Sequence, residues 1–201
     1  NEYKFGGDNA RISRAPGFPI LIAGWHWLFA GKPSVISVRI MNSILGAFTV
    51  VAVGWLATLL FDQRIGIYAG LLASIYPGAI AMSVLILSEG PFCLFMTLEL
   101  VAVYYCFWRE RASIVSRRWA AVFLGINAAI AVLIRPSWLF YTPALFTTVC
   151  LLSKHRFRNL SLAILGALAF ALVMLPWWAR NHQVTGRFVP TTLQVGASLY
   201  D

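Results

Sequence analysis

Six apolar runs joined by short polar connectors set the narrowest limit on what this chain can become: Ile40 to Phe61, Ile65 to Leu87, Pro91 to Trp108, Trp119 to Ile134, Ser137 to Leu152 and Leu160 to Trp178. Crossing about 30 Å of hydrocarbon takes roughly twenty helical residues, and only helices or closed barrels satisfy their own backbone groups there. Four of the runs come near that length. The fourth and fifth are shorter and meet at Ile134-Arg135-Pro136, where proline must end the preceding helix. They predict a hairpin whose tip dips below the membrane surface. The fold class expected is all-α, a polytopic membrane helical bundle. Only 11% of the residues are charged, against about a quarter in an ordinary soluble domain.

The division expected along the chain is a loop over residues 1–33, six transmembrane helices over 34–178, and the start of a second loop over 179–201. Within the first loop, Ile20 to Phe29 is apolar but too short to span, and reads as an interfacial helix or re-entrant piece. The chain starts at Asn1 and stops at Tyr200-Asp201 without a recognisable tail, and is expected to be a piece of a longer protein.

Basic residues give the orientation. Arg64, then Arg109, Arg111, Arg117 and Arg118, then Lys154, Arg156 and Arg158 fall in connectors on one side, which the positive-inside tendency makes cytoplasmic. Lys4, Arg11, Arg14, Lys32, Arg39, Arg135, Arg180 and Arg187 belong to the opposite, extracytoplasmic face. Of these, Arg14, Arg39, Arg135 and Arg180 lie within a few residues of an apolar run. A local anion would account for cations held there. The net charge of +9 is thus parcelled out between greasy segments instead of forming one basic face, so nucleic acid is not an expected partner.

Arg14-Ala15-Pro16-Gly17-Phe18-Pro19 stands out among these positions. Two prolines fix φ and withhold donors, the glycine permits a bend, and the run reads as a rigid elbow with a cation at its tip. Arg14 either snorkels at the interface or grips a lipid-borne phosphate.

Tyr76-Pro77-Gly78 predicts a kink or break in the second run, and Gly66-x-x-x-Gly70 a close helix contact. Leu87-Ser88-Glu89-Gly90-Pro91 sets a carboxylate where proline opens the third run, either as a favourable N-terminal charge or as part of a site. Glu99 lies about 15 Å further along the same helix and is turned roughly 80° from Glu89. At that depth a carboxyl must be neutral, paired or wet. Asn127, Thr97 or Ser74 across the bundle is its expected partner.

Cys93, Cys106 and Cys150 match no metal or redox spacing and read as small hydrophobes. His26 and His182 lack accompanying carboxylates, so a divalent cation is left open and no other cofactor is indicated. Pro176-Trp177-Trp178 reads as an aromatic anchor at the interface.

Taken in order, the elbow, Arg39-Ile40-Met41-Asn42, Tyr76-Pro77, Ser88-Glu89, Ile134-Arg135-Pro136 and Pro176-Trp177-Trp178-Ala179-Arg180-Asn181 resemble the GT-C superfamily of polyprenyl-phosphate-dependent glycosyltransferases. The branch is that of the protein O-mannosyltransferases and lipid A aminoarabinose transferases. The resemblance implies a GT-C-like bundle in the plasma membrane that moves a sugar from a polyisoprenyl phosphate to an acceptor lipid, glycan or protein on the extracytoplasmic side. It implies that Arg14 holds the donor phosphate, with Arg135 and Arg180 sharing the leaving group, and that Glu89 lies in or beside the active-site cavity. The family's principal carboxylate follows a first transmembrane helix that is not seen before the elbow. Asp8 and Glu2 are the candidates within this chain, and the true base is expected upstream of Asn1. The rival expectation is a secondary transporter or channel working through Glu99, although no inverted repeat is visible between the first and last three runs.

Overall fold

The computed structural model describes residues 14–29, 34–109, 113–152 and 155–192. Its elements are α1 (Gly17–Leu28), α2 (Val35–Leu60), α3 (Gln63–Ser74), α4 (Pro77–Val84), α5 (Glu89–Val103) with a π-helical end (Tyr104–Trp108), α6 (Ile114–Ile134), a 3-10 turn (Pro136–Phe140), α7 (Tyr141–Leu152) and α8 (Arg156–Thr185). Among the described residues there is helix and no strand, as the apolar runs require. Four helices are long and apolar enough to cross a membrane: α2, α5 with its π end, α6 and α8. The pair α3 and α4, bent by 52° at the break, makes a fifth. The fifth run of the sequence has only the twelve residues of α7 beyond its 3-10 turn.

Local chemistry explains where these helices begin and end. The Ser34 hydroxyl accepts from the Ser37 N–H, the Asp62 carboxylate from Ile65, and the Ser113 hydroxyl from Ser116, each satisfying a donor that the first turn leaves open. Pro77 restarts the broken span at the first position of α4, where its missing N–H costs nothing. Capped by Ser113, α6 starts at Ile114, five residues before the expected Trp119, so the fourth run is a full-length helix rather than half of a shallow hairpin. Pro136 ends it as expected, and the chain continues as the 3-10 turn.

α6 is the central helix, packed on α5, α8, α1 and the 3-10 turn. Over half of its apolar window is buried, 56%, against 6% for α2. The rim helices instead expose Phe48 and Val51 of α2, Leu71 and Leu72 of α3, and Leu168 and Leu172 of α8. Side chains of that kind, open all along a helix, suit contact with lipid. Without water to drive helices together, contact depends on close backbone approach and interhelical hydrogen bonds. Gly125 of α6 and Gly166 of α8 meet so closely that a Cβ on Gly125 would run into the Gly166 carbonyl. Gly66 meets Gly54 and Thr58 of α2 in the same way, which bears out the expected small-residue contact. Asn127 donates to the Phe95 carbonyl at 2.6 Å, and Asn42 donates to Leu85 at 3.0 Å, tying α6 to α5 and α2 to the end of the broken span.

Arg117 does not serve as the loop charge that the sequence implied. It is buried in the first turn of α6 and donates to the carbonyls of Cys106 (2.9 Å), Phe107 (3.4 Å) and Arg109 (2.6 Å). Those carbonyls belong to the end of the α5 helix, where the last turn leaves acceptors open and the helix dipole favours a cation.

Candidate functional site

At the bundle end where α5 starts and α6 stops, a recess of about 580 Å³ opens between the elbow, the segment before α5 and the 3-10 turn. Arg14, Phe18, Ser88, Arg135, Ser137 and Thr192 are on its walls. The elbow is held there by Gly17, where a Cβ would lie 2.6 Å from the Leu133 carbonyl carbon, so α1 packs directly on the backbone of α6. The prolines of the elbow and Pro136 thus bring two arginines, 121 positions apart in sequence (135 minus 14), onto one hollow.

Glu89 joins them through Arg135, whose Nη1 lies 3.3 Å from the Glu89 Oε1. The Ser88 hydroxyl sits 3.5 Å from the other carboxylate oxygen. Both partners of the ion pair are more than a third exposed, at 40% and 35%, and a pair so open to solvent contributes only about 0–1 kcal/mol. Arg135 is therefore exchangeable, able to leave Glu89 for a stronger anion. Its guanidinium also lies over the Phe92 ring, 5.5 Å from the centroid, and Trp138 meets that ring edge-on at 5.2 Å.

The remaining sequence candidates fall elsewhere. Arg180 is not on the recess wall; it stacks on Trp177 at 4.9 Å. Asp8 and Glu2 lie outside the described residues. Glu99 is fully buried, but its expected partners are not the observed ones. Thr97 bonds the Cys93 carbonyl, Ser74 that of Leu71 and Asn127 that of Phe95. The Glu99 oxygens accept instead from Trp138 Nε1 at 2.7 Å and from the Thr142 hydroxyl at 2.6 Å, because the 3-10 turn and α7 bring both donors inward. Among the described residues no three His, Cys, Asp or Glu side chains gather to hold a metal ion. Among the described residues the recess wall carries no carboxylate, and the neighbouring Glu89 already faces the Arg135 guanidinium, a donor set that does not fit a divalent cation.

The sequence did not reveal how the chain returns after α8. This helix passes through Pro176 and Trp178, where the last run was expected to end, and continues to Thr185. Gly186 then adopts a left-handed φ of 65°, and the chain folds back along the helix it has left. Trp177 and Trp178 donate their indole N–H groups to the Thr191 and Pro190 carbonyls, at 2.8 and 2.9 Å. The buried Asn181 donates to Val189 and Thr191. The two tryptophans are clasps as well as interface residues, and they carry Thr192 to the recess. The 3- and 4-residue spacing of 177, 178 and 181 was the available signal, since it places all three on one helix face.

A second, apolar crevice of about 430 Å³ lies between the short α7 and α8, bordered by Leu139, Phe140, Pro143, Phe146, Ile164 and Phe170. It and the recess share the 3-10 turn, which contributes Pro136 to one and Leu139 to the other.

The family model described as Dolichyl-phosphate-mannose-protein mannosyltransferase matches residues 16–189. Neither the curated proteins nor the solved structures gave a match.

Proposed function

The chain belongs to the dolichyl-phosphate-mannose-protein mannosyltransferase family, a membrane glycosyltransferase family of the GT-C superfamily, and on that premise we propose that the recess is where it holds the donor's phosphate. The observation that carries this reading is the shared recess of Arg14 and Arg135, two cations from distant segments, the second of which has only an exchangeable counter-ion in Glu89.

In the reaction, the bond between the sugar's anomeric carbon and the phosphate oxygen breaks. Its electron pair stays on the phosphate, the acceptor oxygen bonds to the anomeric carbon, and the acceptor's proton passes to a carboxylate. Fixed guanidinium groups stabilise the charge that grows on the leaving phosphate, by roughly 3 kcal/mol for a well-placed donor. When the phosphate takes Arg135, Glu89 is released beside it and is available to take that proton. Asp8 or a carboxylate outside this chain is the other candidate base. The crevice beside α7 supplies the apolar surface that a polyisoprenyl tail requires.

Arg64, Arg109, Arg118, Arg156 and Arg158 remain at the far end of the bundle after Arg117 is assigned to capping, which supports an extracytoplasmic recess. Acceptor lipid, glycan or protein would approach from that side. The transporter alternative lacks comparable support, since both Glu99 oxygens are engaged by Trp138 and Thr142.

Replacing Arg14 or Arg135 with alanine in the intact membrane-inserted protein is expected to lower transfer from a polyprenyl-phosphate sugar about a hundredfold at unchanged insertion. Native turnover in both variants would remove the proposal's support.

A further inference from the structure

Glu99 is costly where it lies. A fully buried carboxyl in the apolar interior demands a full set of partners, and a well-packed apolar residue would satisfy α5 without them. Its two partners show what it accomplishes. Trp138 and Thr142 lie on consecutive elements, the 3-10 turn and α7, and each gives one hydrogen bond to one carboxyl oxygen. Trp138 is three residues after Arg135, and its backbone N–H bonds the Arg135 carbonyl at 3.1 Å. Its indole packs edge-on against Phe92, and Phe92 is the ring beneath the Arg135 guanidinium. Tyr141 stacks on the indole, with ring centroids 4.0 Å apart. A continuous chain of contacts therefore runs from Glu99 through Trp138 and Phe92 to Arg135.

We propose that Glu99 is a positioning residue for Arg135: by drawing Trp138 inward it fixes the turn that carries the guanidinium and the aromatic floor on which it rests. This rests on the recess being the phosphate site. Glu99 itself is fully buried and is not on the recess wall, so it acts only through the side chains it holds. An isolated guanidinium on a flexible turn would swing toward solvent or stay on Glu89. With its backbone and floor fixed, Arg135 can change partners without changing place, which is what pre-organised stabilisation of a developing charge demands.

The test uses the intact protein in lipid nanodiscs with a polyprenyl-phosphate sugar as donor. Glu99→Ala and Trp138→Phe are each expected to lower kcat/KM for the donor about tenfold. Glu99→Gln is expected to stay within about twofold of native, because an amide oxygen can accept from Trp138 while the amide nitrogen donates to the Thr142 hydroxyl. In an Arg135→Ala background, Glu99→Ala and Trp138→Phe are expected to add less than about twofold, since the group they position is gone. A merely structural role would leave their tenfold losses unchanged there, and that result overturns the proposal. So does a Glu99→Gln variant as impaired as Glu99→Ala, which would mean that ionisation matters and geometry does not. Should Glu99→Ala fail to insert, Trp138→Phe carries the test, as it keeps an aromatic ring at the position while removing the indole N–H that bonds Oε2 and the indole's second ring. A fully active Arg135→Ala would overturn this proposal, and together with a fully active Arg14→Ala the phosphate-site reading as well, whereas an inactive Arg135→Ala with additive second losses overturns this proposal alone.

Discussion

Helix α6 has an arginine at each end, and the two are put to opposite uses. Arg117 is buried, and its guanidinium is spread over three backbone carbonyls at the end of α5. Arg135 is 40% exposed and has only a loose carboxylate partner, an aromatic floor and a hollow in front of it. The side chains are chemically identical and both stand next to apolar helix. What separates them is the kind of acceptor the fold brings to each. Backbone carbonyls of a helix end cannot leave, so Arg117 is committed to structure. A half-solvated carboxylate is readily exchanged, so Arg135 remains available to an outside anion.

The sharpest way to break this contrast is at the structural end. Arg117→Ala removes charge-assisted hydrogen bonds and leaves buried carbonyls unsatisfied, and should cost about 3 kcal/mol or more. Thermal unfolding in detergent would read it as a large drop in melting temperature, with activity per folded molecule retained. Arg117→Lys should recover little, because an ammonium cannot reach three carbonyls in the plane of a guanidinium fork. A stable Arg117→Ala protein would mean that the cap is dispensable and the contrast false.

The reciprocal experiment at the other end should cost function and leave stability intact. Arg135→Ala is expected to melt within about 1 kcal/mol of native, the ceiling for so exposed a pair, while losing about a hundredfold in turnover. If the variant unfolded, Arg135 would belong with Arg117 as a structural cation.

How far the sequence foretold the two ends follows from the range of the interactions. The break at Tyr76-Pro77, the glycine contact of Gly66 and the stop at Pro136 were legible because each depends on the conformational limits of proline or glycine at that position, whereas half of the expected elbow, Gly17-Phe18-Pro19, is the first turn of α1. The basic recess was legible in part, since Arg14 and Arg135 were already misplaced by insertion rules. Arg117 was not legible, because its partners are carbonyls, which every residue has, and only their position at a helix end marks them. Glu99 was read with the wrong partners because the correct ones are 39 and 43 residues away, and any of several polar residues on the spans satisfied the same requirement on paper. Gly186 and the spacing of 177, 178 and 181 were the local hints of the fold-back after α8, and the apolar length of the preceding run pointed to an earlier exit.

That fold-back allows a prediction of intermediate size. Asn181→Ala removes two hydrogen bonds to the returning segment, including one to Thr191, the neighbour of Thr192 on the recess wall. The expected cost is about 1–2 kcal/mol of stability. The donor KM should rise while kcat stays near native, because the segment shapes the recess without touching the reacting bond. Steady-state kinetics over a range of donor concentrations would separate the two parameters. A fall in kcat alone would place Asn181 in the chemistry instead.

The smallest effect is expected at Arg180, and there the resemblance and the geometry part company. Resemblance implied that Arg180 shares the leaving phosphate with Arg14 and Arg135. The structure sets its guanidinium over the Trp177 ring, and the ring's N–H holds Thr191. A cation–π contact of this kind is worth about 0.5–1 kcal/mol when exposed. Because its guanidinium stands off the recess wall, Arg180→Ala should lower turnover far less than Arg135→Ala, by no more than about fivefold for the part that passes through the Trp177 clasp. A second substitution of Trp177 by leucine should absorb that loss. If Arg180→Ala instead matched the hundredfold expected of Arg135→Ala, the donor's phosphate would have to reach beyond the recess to the end of α8. The division between committed and available arginines would then have to be redrawn to include a cation already stacked on an indole.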